Sequence, residues 1–472
     1  MAASHVQELQ SEQTEFKKGL KLFDATTLVA GSMMGSGVFI VISGMLQSPD
    51  PAKGVWGVPY PSLMLLVWIV CGVITLMGAL SYAELASSMP KAGGPYVYLR
   101  ESFGRFWAFL YGWTFFFCIQ SGFIAGVSVA FGRAGFALFS HQSLGTVSGE
   151  LWSVRIAAIC AIVFLTGWNI MGVRMGAMLQ NVFTVLKIAA ALFVIVLAFM
   201  HPAVADTTPA WPPFLTKNLM IGFGVAMIGA LWAYDAWFGI MFASEEIKDA
   251  KRTLPQALML GTGIITVVYC LTNWSFVHVL TVQQIQHLHD IKAITGIEAA
   301  KAMMGLAGAL FVTIAILVST FGCLNGIMLT GARAFYAMAK DGLFFSPASH
   351  LHPTYKTPVF SLAAQAVWAI VLILLPGQTY DKLFTYVEFT TFLFYAITII
   401  GLFRLRHKYP ELPRPFKVPS LIPIVYFLLV AAFLVNTVIT QPANSGYGLL
   451  IIAFGAIVYF LMKAGKNVQE AT

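Results

Sequence analysis

The sequence predicts an all-α membrane protein in which two of the membrane-spanning helices are interrupted. Of its 472 residues, 58% are hydrophobic and only 10% are charged, and the mean hydropathy is +0.79. Soluble proteins carry about 25% charged residues, so this composition indicates a protein embedded in a bilayer. Apolar stretches of about 20 residues, the length of a spanning helix, recur along the whole chain. Glycine-rich segments interrupt two of these stretches.

Hydropathy predicts twelve spans after a charged leader at residues 1–23. Most of the 28 lysines and arginines fall on the leader's side of the membrane in this scheme, for example in the cluster at 17–21. Because basic loops are retained in the cytoplasm, both termini are predicted to be cytoplasmic. The predicted spans are 25–46, 62–88, 106–137, 154–172, 180–200, 218–243, 256–280, 303–338, 358–376, 383–404, 420–440 and 447–463.

The middle of span 1 carries three glycines and two serines within residues 31–37. A glycine in a helix interior costs roughly 1 kcal/mol relative to alanine. In a bilayer, a broken helix is tolerated only where the freed backbone groups are buried in protein or line a cavity. Amide groups freed at the start of the outer half-helix, from Val38, suit a carboxylate. Close packing of small residues between helices is the alternative that this segment leaves open.

Span 6 is the second interrupted segment, with three glycines followed by Asp235 within an apolar run. An ionisable residue inside a span is a hypothesis for a functional site, and aspartate also competes for backbone donors and so breaks helices. Spans 1 and 6 are five helices apart. This offset predicts two inverted repeats, residues 24–216 and 217–406, followed by spans 11 and 12 within 407–464 and a tail at 465–472. Interrupted helices at matching positions are typical of a transporter's substrate site.

Other functional classes find little support in the sequence. The five cysteines all lie in apolar spans, which argues against a disulfide framework. The histidines are dispersed, so no metal site or cofactor is expected. The glycine pattern follows no strand and lacks the G-K-[ST] ending, which disfavours an ATP-driven pump. The sequence shows no nucleophile–base pair of the kind that would indicate an enzyme. The net charge of +8 reflects basic cytoplasmic segments better than a nucleic-acid partner.

Five groups of motifs, in order along the chain, resemble those of the amino acid–polyamine–organocation superfamily. The closest likeness is to the bacterial relatives of the L-type amino acid transporters. The resemblance covers about residues 18–417. The motifs are GSMMGSGVF at 31–39; YxEL and PxAGG at 82–94; WAYDAW, EEIK and LP at 232–255; STFGCLNG, AR and AKDG at 319–342; and LRHKYPELPRPF at 405–416.

This resemblance implies the leucine-transporter fold and alternating access around spans 1 and 6. The unwound stretch would hold the substrate carboxylate through backbone N–H groups and the Ser36 hydroxyl. The carbonyls of Met33, Trp232 and Asp235 would take the ammonium group, and Trp232 would also be the aromatic gate over the bound side chain. The substrate-binding residues implied in this way are Met33, Met34, Gly35, Ser36, Gly37, Trp232, Ala233 and Asp235.

Lys187, within span 5, matches a lysine of sodium-independent members whose ammonium group stands in for a sodium ion. From the residues alone three roles stay open: a snorkelling side chain, a buried proton carrier, or a fixed charge that favours exchange. The resemblance implies a sodium-independent exchanger of amino acids in the bacterial inner (cytoplasmic) membrane. Neutral substrates are favoured because no extra acid is evident. The alternatives are proton symport with Lys187 as carrier, antiport of cationic amino acids or polyamines, and a non-transporting sensor.

The expected partners are the amino acid substrate and the lipid bilayer. Animal L-type transporters carry an outer cysteine between spans 3 and 4 that links them to a glycoprotein subunit, and this chain has none there. A disulfide-linked heavy subunit is therefore not expected. Glu84 and Glu388 are expected to pair with neighbouring polar groups. Asn325 is expected either to bond between helices or to touch substrate.

Overall fold

The computed structural model describes residues 9, 14–50, 52, 54–140, 147–148, 151–375 and 380–469, without the side chains of 380–386 and 464–469. Its regular elements are α-helices with short 3-10 and π segments. The α-helices are α1 (Leu22–Met33), α2 (Gly37–Ile40), α3 (Ile42–Met45), α4 (Pro61–Ser88), α5 (Pro95–Phe103), α6 (Arg105–Thr114), α7 (Ser121–Ser140), α8 (Trp152–Ile170), α9 (Val173–Met200), α10 (Lys217–Tyr234), α11 (Ala250–Val279), α12 (Val282–Asp290), α13 (Thr295–Met304), α14 (Leu306–Lys340), α15 (Val359–Leu374), α16 (Tyr380–Lys408), α17 (Leu421–Thr440) and α18 (Pro442–Gln469).

Twelve apolar helical segments occupy the positions of the twelve predicted spans. Eleven of those in the described part of the chain are long and apolar enough to cross a membrane. The twelfth, α15, has 16 residues. At 1.5 Å per residue it rises about 24 Å, which is shorter than the roughly 30 Å hydrocarbon core. The chain is a multi-pass membrane protein.

Both predicted interruptions are present. The helix α1 ends at Met33, and helical structure resumes at Gly37. The helix α10 ends at Tyr234, and a 3-10 helix begins at Trp237. Between them Ala236 has a φ of 69°, a left-handed conformation that costs an L-residue roughly 1–2 kcal/mol. The second break is therefore held by its surroundings against a local backbone preference.

The first interrupted span, Leu22–Ile40, is largely buried. In its most apolar stretch 72% of the residues are buried, against 28% for α17 and 17% for α18. The helix α1 is the first part of this span. It packs against α9, α11, α14 and the 3-10 helix that follows the second break. The first interruption is thus surrounded by protein and kept away from lipid, as unpaired backbone groups require.

Part of the leader, residues 14–20, crosses one end of the helices. The backbone amides of Gly19 and Leu20 donate to the Glu246 carbonyl at 2.9 and 3.1 Å. The Lys340 ammonium group lies 2.8 Å from the Glu15 carboxylate, and this contact holds the pKa of Glu15 below its usual range. The leader therefore joins the end of the second interrupted span to the end of α14.

A fully buried ion pair lies beneath the leader. The Arg333 guanidinium of α14 donates to the Glu246 carboxylate at 2.6 Å from Nε and 3.1 Å from its second nitrogen, and it also donates to the Leu329 carbonyl. Both side chains are buried, at 0% and 1% exposure. A buried charge is tolerated when it is paired and hydrogen-bonded in this way.

The leader and the basic end of α16 lie on the same side of the molecule. Asp341, which follows α14, is 2.7 Å from Arg100 of α5. The neighbouring Glu101 carbonyl accepts a 2.8 Å hydrogen bond from Lys408 at the end of α16. The basic clusters that the sequence assigns to one side of the membrane are thus close together in space.

Candidate functional site

The two interruptions meet around a small cavity of about 30 Å³. Seven of the eight predicted binding residues line it; Met34 is the exception. The backbones approach so closely that a Cβ added at Gly37 would lie 3.0 Å from the Ala233 Cβ. The described lining residues are Ser32, Met33, Gly35, Ser36, Gly37, Phe123, Val127, Trp232, Ala233, Asp235, Ala236, Cys323 and Ile327.

A tyrosine of α11 links the two breaks. The Tyr269 hydroxyl lies 3.0 Å from the Met33 carbonyl oxygen and 3.0 Å from the Ala233 carbonyl oxygen. A phenol has one proton, so the two carbonyls share a single donor. The sequence analysis did not select Tyr269, because span 7 carries no interruption and no charge near this position.

Lys187 binds the first break but does not line the cavity. Its side chain is 1% exposed. Its ammonium group donates to the carbonyls of Gly31 at 2.5 Å, Met34 at 2.7 Å and Ser319 at 3.4 Å. Three acceptors match the three N–H donors of an ammonium group, whereas a neutral amine has only two. The arrangement places a positive charge between α1 and α14.

The helix α14 satisfies the remaining carbonyls that the first break exposes. The Ser319 hydroxyl lies 2.9 Å from the Met34 carbonyl and 3.1 Å from the Gly35 carbonyl. The Cys323 thiol donates to the Ser32 carbonyl at 2.9 Å. Both residues belong to the motif at 319–326. The motif is therefore the sequence signal that points to Ser319 and Cys323.

An aromatic stack forms one wall of the cavity. The rings of Trp232 and Phe123 are 4.8 Å apart between centroids and inclined by 25°. The sequence analysis selected Trp232 but not Phe123, because the polar and small residues just before Phe123 in span 3 were more conspicuous. One of these, Gln120, donates to the Ile327 carbonyl at 2.9 Å and so ties the π segment to α14.

Asp235 caps its own break. One carboxylate oxygen, Oδ1, accepts hydrogen bonds from the Tyr395 hydroxyl at 2.5 Å and from the Ala236 amide at 2.8 Å. The other oxygen, Oδ2, has no hydrogen-bond partner among the described residues, although the side chain is buried. Asp235 therefore fixes the geometry of the second break and keeps one free acceptor.

The two other membrane carboxylates differ from each other. Glu84 is paired as predicted: it lies 2.5 Å from Arg406 and accepts the Val418 amide at 2.8 Å. The same prediction was wrong for Glu388, since neither of its oxygens has a hydrogen-bond partner in the described structure. The sequence does not distinguish Glu84 from Glu388, because Arg406, which pairs with Glu84, lies 322 positions later in the chain.

Asn325 ties helices together. Its amide group donates to the Gly176 carbonyl at 3.0 Å and to the Gln180 side chain at 2.9 Å, both on α9. It is absent from the cavity lining, whereas Cys323 and Ile327 of the same helix line it. Of its two predicted roles, the structure supports the interhelical one.

Comparison with known proteins identifies close relatives over nearly the whole chain. A model of the amino acid permease family matches residues 20–462. The serine/threonine exchanger SteT of Bacillus subtilis is 31% identical over 97% of this chain and 100% of its own length. The mouse b(0,+)-type amino acid transporter 1 is 30% identical over 97% and 90%. The human cystine/glutamate transporter is 29% identical over 95% and 86%.

Proposed function

Since the chain belongs to the amino acid permease family of the amino acid–polyamine–organocation superfamily, we propose that it exchanges neutral L-amino acids across a membrane without sodium. The family implies the leucine-transporter fold, and its members are amino acid transporters and not enzymes. The proposal adds to this the substrate class, the ion independence, the exchange mode and the binding residues. It also takes residues 24–216 and 217–406 as the two inverted repeats.

The contacts of Lys187 carry the proposal of sodium independence. Its ammonium group bridges carbonyls of α1 and α14 beside the break. A sodium ion at this position would need the same carbonyl oxygens and would meet a fixed positive charge. Because all three N–H donors are already bonded, this geometry favours a permanent ammonium group over a proton carrier. A permanent charge in turn favours exchange over proton symport.

Substrate recognition is proposed to use the backbone of both breaks. The amides that follow Met34 and the Ser36 hydroxyl would bind the carboxylate, helped by the positive end of the backbone dipoles. The carbonyls of Met33, Trp232 and Asp235 would bind the ammonium group. The Met33 carbonyl already accepts from the Tyr269 hydroxyl and from the Gly35 amide, each at 3.0 Å, so the ammonium group would have to replace one of these two donors. Met34 would contribute least to this site, since it does not line the cavity and its amide already donates to the Ala30 carbonyl at 3.1 Å.

The size of the cavity supports alternating access. A volume of about 30 Å³ has room for roughly two water molecules, not for an amino acid. Binding therefore requires the walls to separate. The Trp232–Phe123 stack is the proposed gate on one side, because both rings line the cavity and their centroids are 4.8 Å apart. On the leader's side the buried Arg333–Glu246 pair and the leader contacts close the path.

Neutral substrates are favoured by the chemistry of the cavity wall. Among its described residues, Asp235 supplies the single carboxylate, and one oxygen of that carboxylate is engaged by Tyr395 and Ala236. The rest of the wall is backbone, small side chains and aromatic surface. A basic substrate side chain would have to compete for Asp235. An acidic one would meet no cationic side chain among the described lining residues.

The proposed location is the inner (cytoplasmic) membrane, with both termini in the cytoplasm. The leader and the basic end of α16 share one side of the molecule, which agrees with retention of basic segments inside. A disulfide-linked heavy subunit is not part of the proposal. Protease accessibility of terminal tags in intact cells and in inverted vesicles tests the orientation: digestion of either tag in intact cells contradicts it.

Counterflow in proteoliposomes tests the function. Vesicles loaded with an unlabelled neutral amino acid, and empty vesicles, are given labelled neutral, basic or acidic amino acids in sodium or in choline buffer. We expect uptake of neutral amino acids, in loaded vesicles only, at the same rate in both buffers. A rate that collapses in choline contradicts sodium independence, and uptake into empty vesicles contradicts obligate exchange. Binding without flux would indicate a sensor.

A further inference from the structure

The buried carboxyl group of Glu388 is not used by the transport site described above. Glu388 lies in α16, and its side chain is 1% exposed. Neither carboxyl oxygen has a hydrogen-bond partner among the described residues. Buried polar groups are nearly always hydrogen-bonded, so an unpartnered carboxyl inside a membrane protein calls for a physical explanation.

Glu388 faces the second break. It lies seven residues before Tyr395, so both side chains lie on the same face of α16. Tyr395 donates to Oδ1 of Asp235 at 2.5 Å, which directs this face toward the break. The carboxyl groups of Glu388 and Asp235 interact electrostatically, and Oδ2 of Asp235 also lacks a hydrogen-bond partner. Two carboxyl groups with three unpartnered oxygens therefore share one buried region.

No cationic side chain balances this pair among the side chains that the structure describes. Arg406, farther along α16, is committed to Glu84, and Lys187 is committed to backbone carbonyls. The charged groups of α5, Arg100 and Glu101, lie at the opposite end of α16 beside Lys408. The titratable groups that interact with the pair are Cys71 and Tyr82 of α4, Tyr111 of α6, Tyr395 of α16 and Tyr426 of α17.

Ionising both carboxyl groups in this region is unfavourable for two reasons. An unpaired charge moved from water into a protein interior costs several kcal/mol. Two carboxylates that share a site also repel each other, so that one of them keeps its proton. A proton is the smallest cation that removes both penalties, and it needs no further ligands. The pair would exchange this proton as a unit.

We propose that Glu388 and Asp235 together bind one proton whenever the closed conformation forms, with Glu388 as its carrier. The proton comes from water while the site is open to one side and returns to water when it opens again. This inference rests on the alternating access of the proposed function. It places proton binding on α16, whereas Lys187 remains a fixed charge. Formation of the closed conformation, and with it exchange, should become slower as the pH rises.

The pH dependence of counterflow tests the proposal in proteoliposomes with equal internal and external pH. For the wild type, exchange should fall by up to about tenfold per pH unit on the alkaline side. Glu388→Gln, which cannot ionise, should have a flat profile, and Glu388→Asp should keep the wild-type slope. Glu298→Gln is the matched control, because Glu298 lies on the surface beside Lys301. A flat wild-type profile, or a wild-type slope in Glu388→Gln, overturns the proposal.

Infrared spectroscopy supplies a readout that does not depend on transport. At neutral pH, exposed carboxyl groups are ionised, so the carbonyl stretch of a protonated carboxyl group reports a buried acid. We expect this band in the wild-type protein and in Glu298→Gln, and its loss in Glu388→Gln. If Glu388→Gln does not fold, absence of the band in the wild type still overturns the proposal. If the wild type shows the band but no counterflow, the proposed function fails and the proton site stands.

Discussion

The Lys187 ammonium group donates a 2.7 Å hydrogen bond to the carbonyl of Met34, where α1 stops being helical. The same nitrogen reaches the Gly31 carbonyl one turn earlier and the Ser319 carbonyl on α14. One buried charge thus replaces backbone hydrogen bonds that the break removes. The same contact therefore stabilises the break and carries the proposed independence of sodium.

Replacing Lys187 should therefore abolish exchange. Lys187→Met removes the charge and all three donors, and each carbonyl left unpaired costs about 1–3 kcal/mol. We expect counterflow to fall by about fivefold to 150-fold for each carbonyl that is also left unpaired in the substrate-bound state. Lys301→Met is the control, because Lys301 is 57% exposed. Wild-type counterflow in Lys187→Met would refute the assigned role.

A larger side chain at position 36 should block substrate without unfolding the protein. Ser36 lines a cavity of about 30 Å³, and a leucine there fills the space proposed for the carboxylate. Ser36→Leu should lose counterflow but elute as a monodisperse peak in detergent. Ser346→Leu, at an exposed serine near α15, controls for the added apolar surface. Transport by Ser36→Leu at the wild-type rate is incompatible with the proposed carboxylate site.

The hydroxyl group of Tyr269 should matter more than that of its neighbour Tyr234. Tyr269→Phe removes the donor shared by the carbonyls of the two breaks. Tyr234→Phe removes a hydroxyl that donates to the Trp68 carbonyl of α4 and does not bridge the breaks. The two rings are 5.0 Å apart and both are fully buried. We expect Tyr269→Phe to slow counterflow by about twofold to tenfold, the equivalent of about 0.5–1.5 kcal/mol, and Tyr234→Phe to change it less. Equal effects would show that the bridge has no special role.

Removing the arginine of the buried ion pair beneath the leader should destabilise the protein far more than removing the lysine of the exposed pair between Glu15 and Lys340. Arg333→Met leaves the buried Glu246 carboxylate without its cation, which costs about 3–5 kcal/mol. Lys340→Met breaks an exposed contact to Glu15, and such pairs contribute at most about 1 kcal/mol. Melting in detergent should show a large fall in Tm for Arg333→Met and a small one for Lys340→Met. A double variant, Arg333→Met with Glu246→Leu, should recover part of the loss.

The sequence predicted the features that local chemistry determines. Glycines within 31–37 and Asp235 mark both breaks, because each residue type has a backbone reason to leave a helix. The positions of the spans followed from hydropathy, apart from the short α15. The resemblance then selected seven of the cavity-lining residues by their motifs and Lys187 by its position in span 5.

The remaining features depend on contacts between distant helices. Phe123, Tyr269 and Cys323 look like ordinary core residues in their own segments, and only packing turns them toward the breaks. Glu84 and Glu388 look alike in the sequence, yet Glu84 pairs with an arginine, whereas Glu388 has no hydrogen-bond partner among the described residues and interacts electrostatically with Asp235. Such differences depend on which neighbours each helix face is turned toward, and the pattern of residues along the sequence does not specify this orientation.

The leader has a consequence for the order in which the protein is made. Thr14 bonds to Glu245, 231 residues later, and Glu15 bonds to Lys340, 325 residues later. On a ribosome, the leader and α1 leave the exit tunnel long before either partner exists. The first interrupted helix must therefore enter the bilayer before the leader can dock. The final closure on this side waits until the end of α14 has been synthesised, so assembly of the closed form is a late event in the biogenesis of the chain.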